Sequence, residues 1–156
     1  MKFQKTVHLK NLLVYIGGTL AAAGLSAWIS DTSLDGLIKP PLTPPAWAFP
    51  VVWSILYVLM GYAAYRISVR RTALTPAALS AYWIQLAVNV LWPILFFRLE
   101  LRLFAFFWLL LLIALVVTTI RRFAPIDRTA SLLLLPYAVW CGFAAYLNLG
   151  FYLLNR

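Results

Sequence analysis

Charged side chains are scarce in this chain. Asp, Glu, Lys and Arg make up 11% of its 156 residues, against about a quarter in an ordinary soluble domain. Acids are the rarest of these: Asp31, Asp35, Glu100 and Asp127 are the full set. No acid, lysine or histidine falls inside an apolar run, so nothing resembles a hydrolytic centre, and no catalytic residue is assigned. Cysteine occurs once, as Cys141 within an apolar run, and histidine once, as His8 in the basic tail. One thiol forms no disulfide within the chain, and neither residue has partners for a metal site. Cys141 is expected to be a small core residue, and His8 a solvated one. Ionisable groups at mid-depth, which a proton-coupled transporter usually keeps, are missing as well. No internal repeat is visible, which speaks against an inverted-repeat carrier.

What the chain has instead is apolar surface. Hydrophobic residues reach 64%, more than a soluble fold of this size could cover, whereas a bilayer solvates them. Five apolar segments lie near 11–29, 46–66, 77–97, 102–121 and 129–153, each close to the ~20 residues that cross ~30 Å of hydrocarbon. The expected fold is therefore a single all-α membrane domain, 1–156, built as a bundle of five transmembrane helices. Ala21, Ala22 and Ala23 could mark a cleavage site behind a basic start. The apolar run continues past them to Trp28, which fits an uncleaved anchor.

The net charge of +9 does not point to nucleic acid, because the basic residues sit in short clusters between apolar runs. Nine of them (Lys2, Lys5, Lys10, Arg66, Arg70, Arg71, Arg121, Arg122 and Arg128) fall on one side of a five-span topology. Four (Lys39, Arg98, Arg102 and Arg156) fall on the other. The positive-inside rule then predicts an N-terminus inside and a C-terminus outside. The 30–45 connection holds Pro40, Pro41, Pro44 and Pro45. Prolines fix backbone angles and remove donors, so this first loop is expected to be an ordered cover. Pro45 stands just ahead of Trp47, a good place to start a helix.

Three segments carry aromatic and amide stripes at helical spacing. Gln85, Asn89, Trp92 and Phe96 recur at i, i+4, i+7 and i+11, which is one helix face. Trp53, Tyr57 and Ala64 share a face in the second segment, and Trp140, Ala144 and Asn148 in the fifth. Read alone, the stripes have two explanations. They could wall an apolar pocket with a few placed polar groups, in which a flat macrocycle would stack. They could equally be packing, with the amides as interhelical glue. Trp28, Trp83 and Trp108 are expected at the membrane–water boundary. Gly18, Ala22 and Ser26 form a small-residue stripe that could serve packing within the bundle, the preferred reading, or a dimer contact. Leu149, Tyr152 and Arg156 fit a permissive sterol pattern, as do Leu59, Tyr62 and Arg66, and neither carries weight.

The stretch KPPLTPPAWAFPVVWSILYVLMG, from Lys39 to Gly61, resembles the signature KPxWxPPxWxFPxVWxxLYxxMG of the translocator protein family, also called TspO or the tryptophan-rich sensory proteins. QLAVNVLWPILFF (85–97) and LLPYAVWCGFAAYLN (134–148) are similar to two further blocks of that family, in its order and spacing. The resemblance spans nearly the whole chain. It implies a five-helix bundle with a pocket covered by the first loop. It implies binding of porphyrins, of sterols in some members, and of benzodiazepine-type ligands, with homodimers common. On this basis Trp53, Tyr57, Asn89, Trp92, Phe96, Trp140 and Ala144 are the candidate ligand-binding residues. Lys39, Pro40, Pro44, Pro45 and Trp47 are the candidate lid. Gln85 fits pocket or glue, and Asn148 glue. Lys39 is expected to serve the loop's structure more than a ligand carboxylate.

The function implied is that of a membrane receptor or carrier for porphyrin-type tetrapyrroles or another lipophilic ligand, with no cofactor beyond that ligand. The alternative is light-dependent porphyrin degradation, as reported for some members. Two departures bear on the choice. Leu42 replaces a usual tryptophan, and Ser33 and Leu34 stand where an aromatic pair is usual. A tyrosine at that pair is thought to take part in the photochemistry.

Overall fold

The structure, a computed structural model, describes residues 8–156. Lys2 and Lys5 of the basic tail lie outside the described residues. Among the described residues, five segments are long and apolar enough to cross a membrane: Leu9–Ser30, Ala48–Ser68, Thr75–Arg98, Arg102–Phe123 and Arg128–Leu154. At 1.5 Å per residue, the 22 residues of α1 (Leu9–Ser30) reach about 33 Å. Large apolar side chains such as Leu13, Ile55, Phe107 and Val139 point outward, as expected where lipid replaces water.

α2 (Ala48–Ser68) packs closely on α1. A Cβ at Gly61 would lie 2.7 Å from Ile16 Cα and 2.9 Å from the Tyr15 carbonyl oxygen. The contact therefore depends on glycine on α2; of the Gly18–Ala22–Ser26 stripe, Ser26 is buried in the bundle and Ala22 is partly buried. Gly18 is exposed. The buried face of α1 is Thr19, Ala23, Ser26 and Ser30, rotated by about one residue. Hydroxyls decide that rotation: Thr19 bonds the Tyr82 hydroxyl and Ser26 donates to the Val90 carbonyl, both on the third helix, Thr75–Pro93.

α3 (Thr75–Pro93) continues as one π-helical turn, Ile94–Arg98. Pro93 has no N–H to return to the Asn89 carbonyl, so the ladder is interrupted there. Downstream, the Leu99 N–H reaches back five residues to Ile94 O at 2.9 Å, the widened turn typical of functional sites. α4 (Arg102–Phe123) packs against α3 and the last helix.

The span expected at 129–153 is two helices, α5 (Arg128–Leu133) and α6 (Leu135–Leu154). Pro136 cannot donate to Leu132, and the chain tightens at Leu134, whose N–H bonds Ser131 O. Asp127 starts this segment with both carboxylate oxygens engaged. Oδ1 accepts from the Ala130 N–H at 3.1 Å, and Oδ2 accepts from Arg66 and Arg70 at 2.8 and 3.0 Å. One buried carboxylate thus caps α5 and ties it to α2.

The 31–47 connection lies against the C-terminal half of α6. Pro40 is buried on Gly150, where a Cβ would sit 2.6 Å from the Pro40 ring. Tyr146 donates its hydroxyl to Pro41 O at 2.9 Å. Asn155 bonds both backbone groups of Ile38.

Candidate functional site

Between α1, α2, α3 and α6, beneath that connection, lies a cavity of about 390 Å³, within the size range of small-molecule sites. Each helix contributes the face that its sequence period dictates. Trp53 and Tyr57 come from α2, Asn89, Trp92 and Phe96 from α3 and its π turn, and Trp140 and Ala144 from α6. All seven candidate ligand-binding residues line this one space. The widened turn after Pro93 sets Phe96 and Phe97 side by side on its wall, with ring centroids 4.8 Å apart.

The aromatic rings brace one another. Trp53 stacks on Tyr57 at 5.5 Å and meets Trp140 edge-on at 6.5 Å. Trp92 stacks on Phe96 at 5.4 Å. Such contacts hold ring orientations and leave faces open to a flat ligand.

Polar groups are few and ordered. The Tyr57 hydroxyl donates to Asn89 Oδ1 at 2.8 Å, Asn89 Nδ2 to the Tyr137 hydroxyl at 2.6 Å, and that hydroxyl to Gln85 Oε1 at 2.9 Å. Gln85 and Tyr137 are buried behind the wall and hold Asn89 from the rear. Gln85 therefore joins the chain of bonds and does not line the cavity. Asn148 does both jobs: it lines the cavity, accepts from Trp92 Nε1 at 3.0 Å, and donates to Arg102 O at 2.7 Å. Trp140 Nε1 is buried with no partner among the described residues. A buried donor without an acceptor is costly, and here it belongs to a cavity wall.

The lid candidates divide. Lys39 lines the cavity, together with Ser33, Leu34 and Asp35. Pro40 instead anchors the loop to Gly150. Pro44 and Pro45 stand in the turn before α2, where the Ala48 N–H bonds Pro45 O at 2.9 Å. Trp47 is 69% exposed and outside the cavity lining. Of the expected boundary tryptophans, Trp28 is 81% exposed and Trp83 is 42% exposed. Trp108 differs: it is half-buried and donates Nε1 to Val88 O at 2.8 Å, joining α4 to α3.

The sequence reading did not name Phe49, Phe143, Leu147 and Phe151, all on the cavity wall. Part of the signal was present, since Trp140, Ala144, Leu147 and Phe151 follow the same i, i+4, i+7, i+11 spacing as the stripe on α3. Tyr137 gave no comparable signal, because its partners lie on another helix.

The sequence profile of the TspO/MBR family matches residues 11–153. The chain is 36% identical over 141 residues to the protein CrtK of Rhodobacter capsulatus, covering 89% of this chain and 85% of that one. It is 34% identical over 146 residues to the tryptophan-rich protein TspO of Chlorobaculum tepidum, covering 92% and 90%. To the translocator protein of Ovis aries it is 38% identical over 117 residues, covering 72% and 68%.

Proposed function

The chain belongs to the TspO/MBR family of membrane proteins, and from that premise we propose that it is a receptor or carrier that binds porphyrin-type tetrapyrroles in the cavity between its helices. One observation carries the reading. Trp53, Trp92 and Trp140 converge from three helices on one space of about 390 Å³, and the buried indole N–H of Trp140 has no partner among the described residues. A flat conjugated ligand would gain stacking area from the rings, and a carbonyl or carboxylate on it would accept from that N–H. Other flat lipophilic molecules, sterols and benzodiazepine-like compounds among them, would use the same walls.

The wall nearest the loop favours binding over photochemistry. Ser33 and Leu34 stand there, and Leu34 packs against the buried cluster of Phe96, Ala105, Leu147 and Phe151. Ser33 Oγ accepts from the Asp35 N–H at 3.1 Å, a turn contact. Neither side chain is an oxidisable phenol. The distribution of basic residues supports a loop on the non-cytoplasmic side, with the N-terminus inside. A homodimer is proposed on the family resemblance alone. Protoporphyrin titrated into purified protein, in darkness and then under illumination, tests the function. Saturable binding with a stable spectrum is expected. Bleaching to a new product would establish the enzymatic alternative, and no saturable binding would remove both.

A further inference from the structure

A second site is indicated at the lid end of the bundle, on the outer side of α4 and α6. Arg102, the first residue of α4, has a side chain only 17% exposed. Its Nε is buried with no partner among the described residues. Glu100 Oε2 stands 3.7 Å from its terminal nitrogen, beyond hydrogen-bond range. Largely buried charges are normally paired and hydrogen-bonded, and this guanidinium has only a loose, exposed partner. α4 also begins without a side-chain cap, so its first N–H groups add positive potential at the same point.

The surrounding space matches an amphiphile. An open groove of about 560 Å³ is bounded by Glu100, Arg102 and Arg156 on its polar side and by Phe104, Phe107 and Tyr152 on its apolar side. Phe104 and Phe107 are more than half exposed, on the lipid-facing side of α4. We infer that this groove seats the headgroup of an amine-bearing phospholipid. The phosphate pairs with Arg102 and Arg156, the amine lies by Glu100, and the acyl chains run along Phe104 and Phe107. Phosphate recognition by guanidinium is favourable because the two nitrogens match two oxygens. Inorganic phosphate would use the same cations but leave the aromatic wall uncovered. A sterol would cover the wall but leave Arg102 unpaired.

Native mass spectrometry of protein exchanged into micelles with equal phosphatidylethanolamine and phosphatidylglycerol tests the inference. Wild type is expected to retain one phospholipid, preferring the amine-bearing one. Arg102→Gln and Arg156→Gln should each lower retention about fivefold or more. Glu100→Gln should keep the lipid and lose the preference. Arg156 is at the exposed end of the described chain, so its variant separates headgroup contact from folding, and its porphyrin affinity should not change. Equal retention by wild type and both arginine variants would overturn the site. So would a wild-type preference for phosphatidylglycerol, retention of cholesterol in place of phospholipid, or displacement of the lipid by millimolar inorganic phosphate.

Discussion

Asn155 grips Ile38 at both backbone groups: Oδ1 accepts the Ile38 N–H at 2.8 Å, and Nδ2 donates to the Ile38 carbonyl at 2.9 Å. A side-chain amide here does what a neighbouring strand would do. It fastens the first loop to the end of α6, while Pro40 on Gly150 fastens it one turn earlier. Asn155→Ala should therefore loosen the cover and leave the helices intact. Two partly exposed bonds are worth about 1 kcal/mol together, so ligand release should accelerate roughly fivefold in stopped-flow measurements. Pro44→Gly with Pro45→Gly should weaken binding by a similar route, through added freedom in the unbound loop. Unchanged release in both variants would mean that the loop is not a cover.

Asp127 gives a pH prediction. Burial alone would raise its carboxyl, but the Ala130 N–H and the Arg66 and Arg70 guanidiniums outweigh it and hold it below the usual carboxylate range. A depressed carboxylate stabilises the fold above its unfolded pKa of about 4, and that contribution is lost as pH falls through the folded value. Asp127→Asn should cost about 2 kcal/mol at neutral pH. That is less than a fully buried pair, because Arg66 and Arg70 stay 27% and 53% exposed. Thermal melts in detergent at pH 7 and pH 3.5 check this: the gap between wild type and variant should narrow at the lower pH.

Gly61 sets the α1–α2 crossing. Gly61→Ala should destabilise the bundle by roughly 1–3 kcal/mol, because the added methyl meets backbone and not a movable side chain. Gly18→Ala, on a site with nothing within 4 Å, should be neutral by the same melting assay.

Orientation is open to a labelling test. In a Cys141→Ala background, a thiol introduced by Ser33→Cys should react with an impermeant reagent in whole cells, and one introduced by Thr72→Cys should not. The reverse pattern would invert the topology.

The legibility of the sequence followed the range of each interaction. Apolar length is local, and the five spans could be read directly. Helical period is local too, so Trp53, Asn89, Trp92 and Trp140 could each be put on a stripe, and the family blocks favoured a common pocket. What one stripe cannot state is its partner. The rotation of α1 depends on Tyr82 and Val90 of α3, and the placement of Trp108 on Val88 of the same helix. Tyr137 became visible only as the middle of a bond chain linking three helices. Asn89 changes meaning for the same reason. Glue contacts in membranes are weak on average, and Asn89→Ala would be expected to spare the fold. Its bonds to two buried tyrosine hydroxyls make it a poor probe, because the substitution strands Tyr57 and leaves Tyr137 only its bond to Gln85.

Trp140 is the better probe, since no atom among the described residues uses its indole N–H. Trp140→Phe removes stacking area and a donor that the fold does not need. The most direct measurement is protoporphyrin affinity by isothermal calorimetry, which does not depend on indole fluorescence, for wild type, Trp140→Phe, Trp53→Phe and Trp28→Phe. Trp28 is 81% exposed and away from the cavity lining, so it controls for the loss of a tryptophan. The two cavity variants should lose about 1 kcal/mol each, roughly fivefold in Kd, and Trp28→Phe should match wild type. If Trp28→Phe loses as much as Trp140→Phe, or if neither cavity variant changes Kd, the ligand does not occupy this cavity and the aromatic stripes are packing.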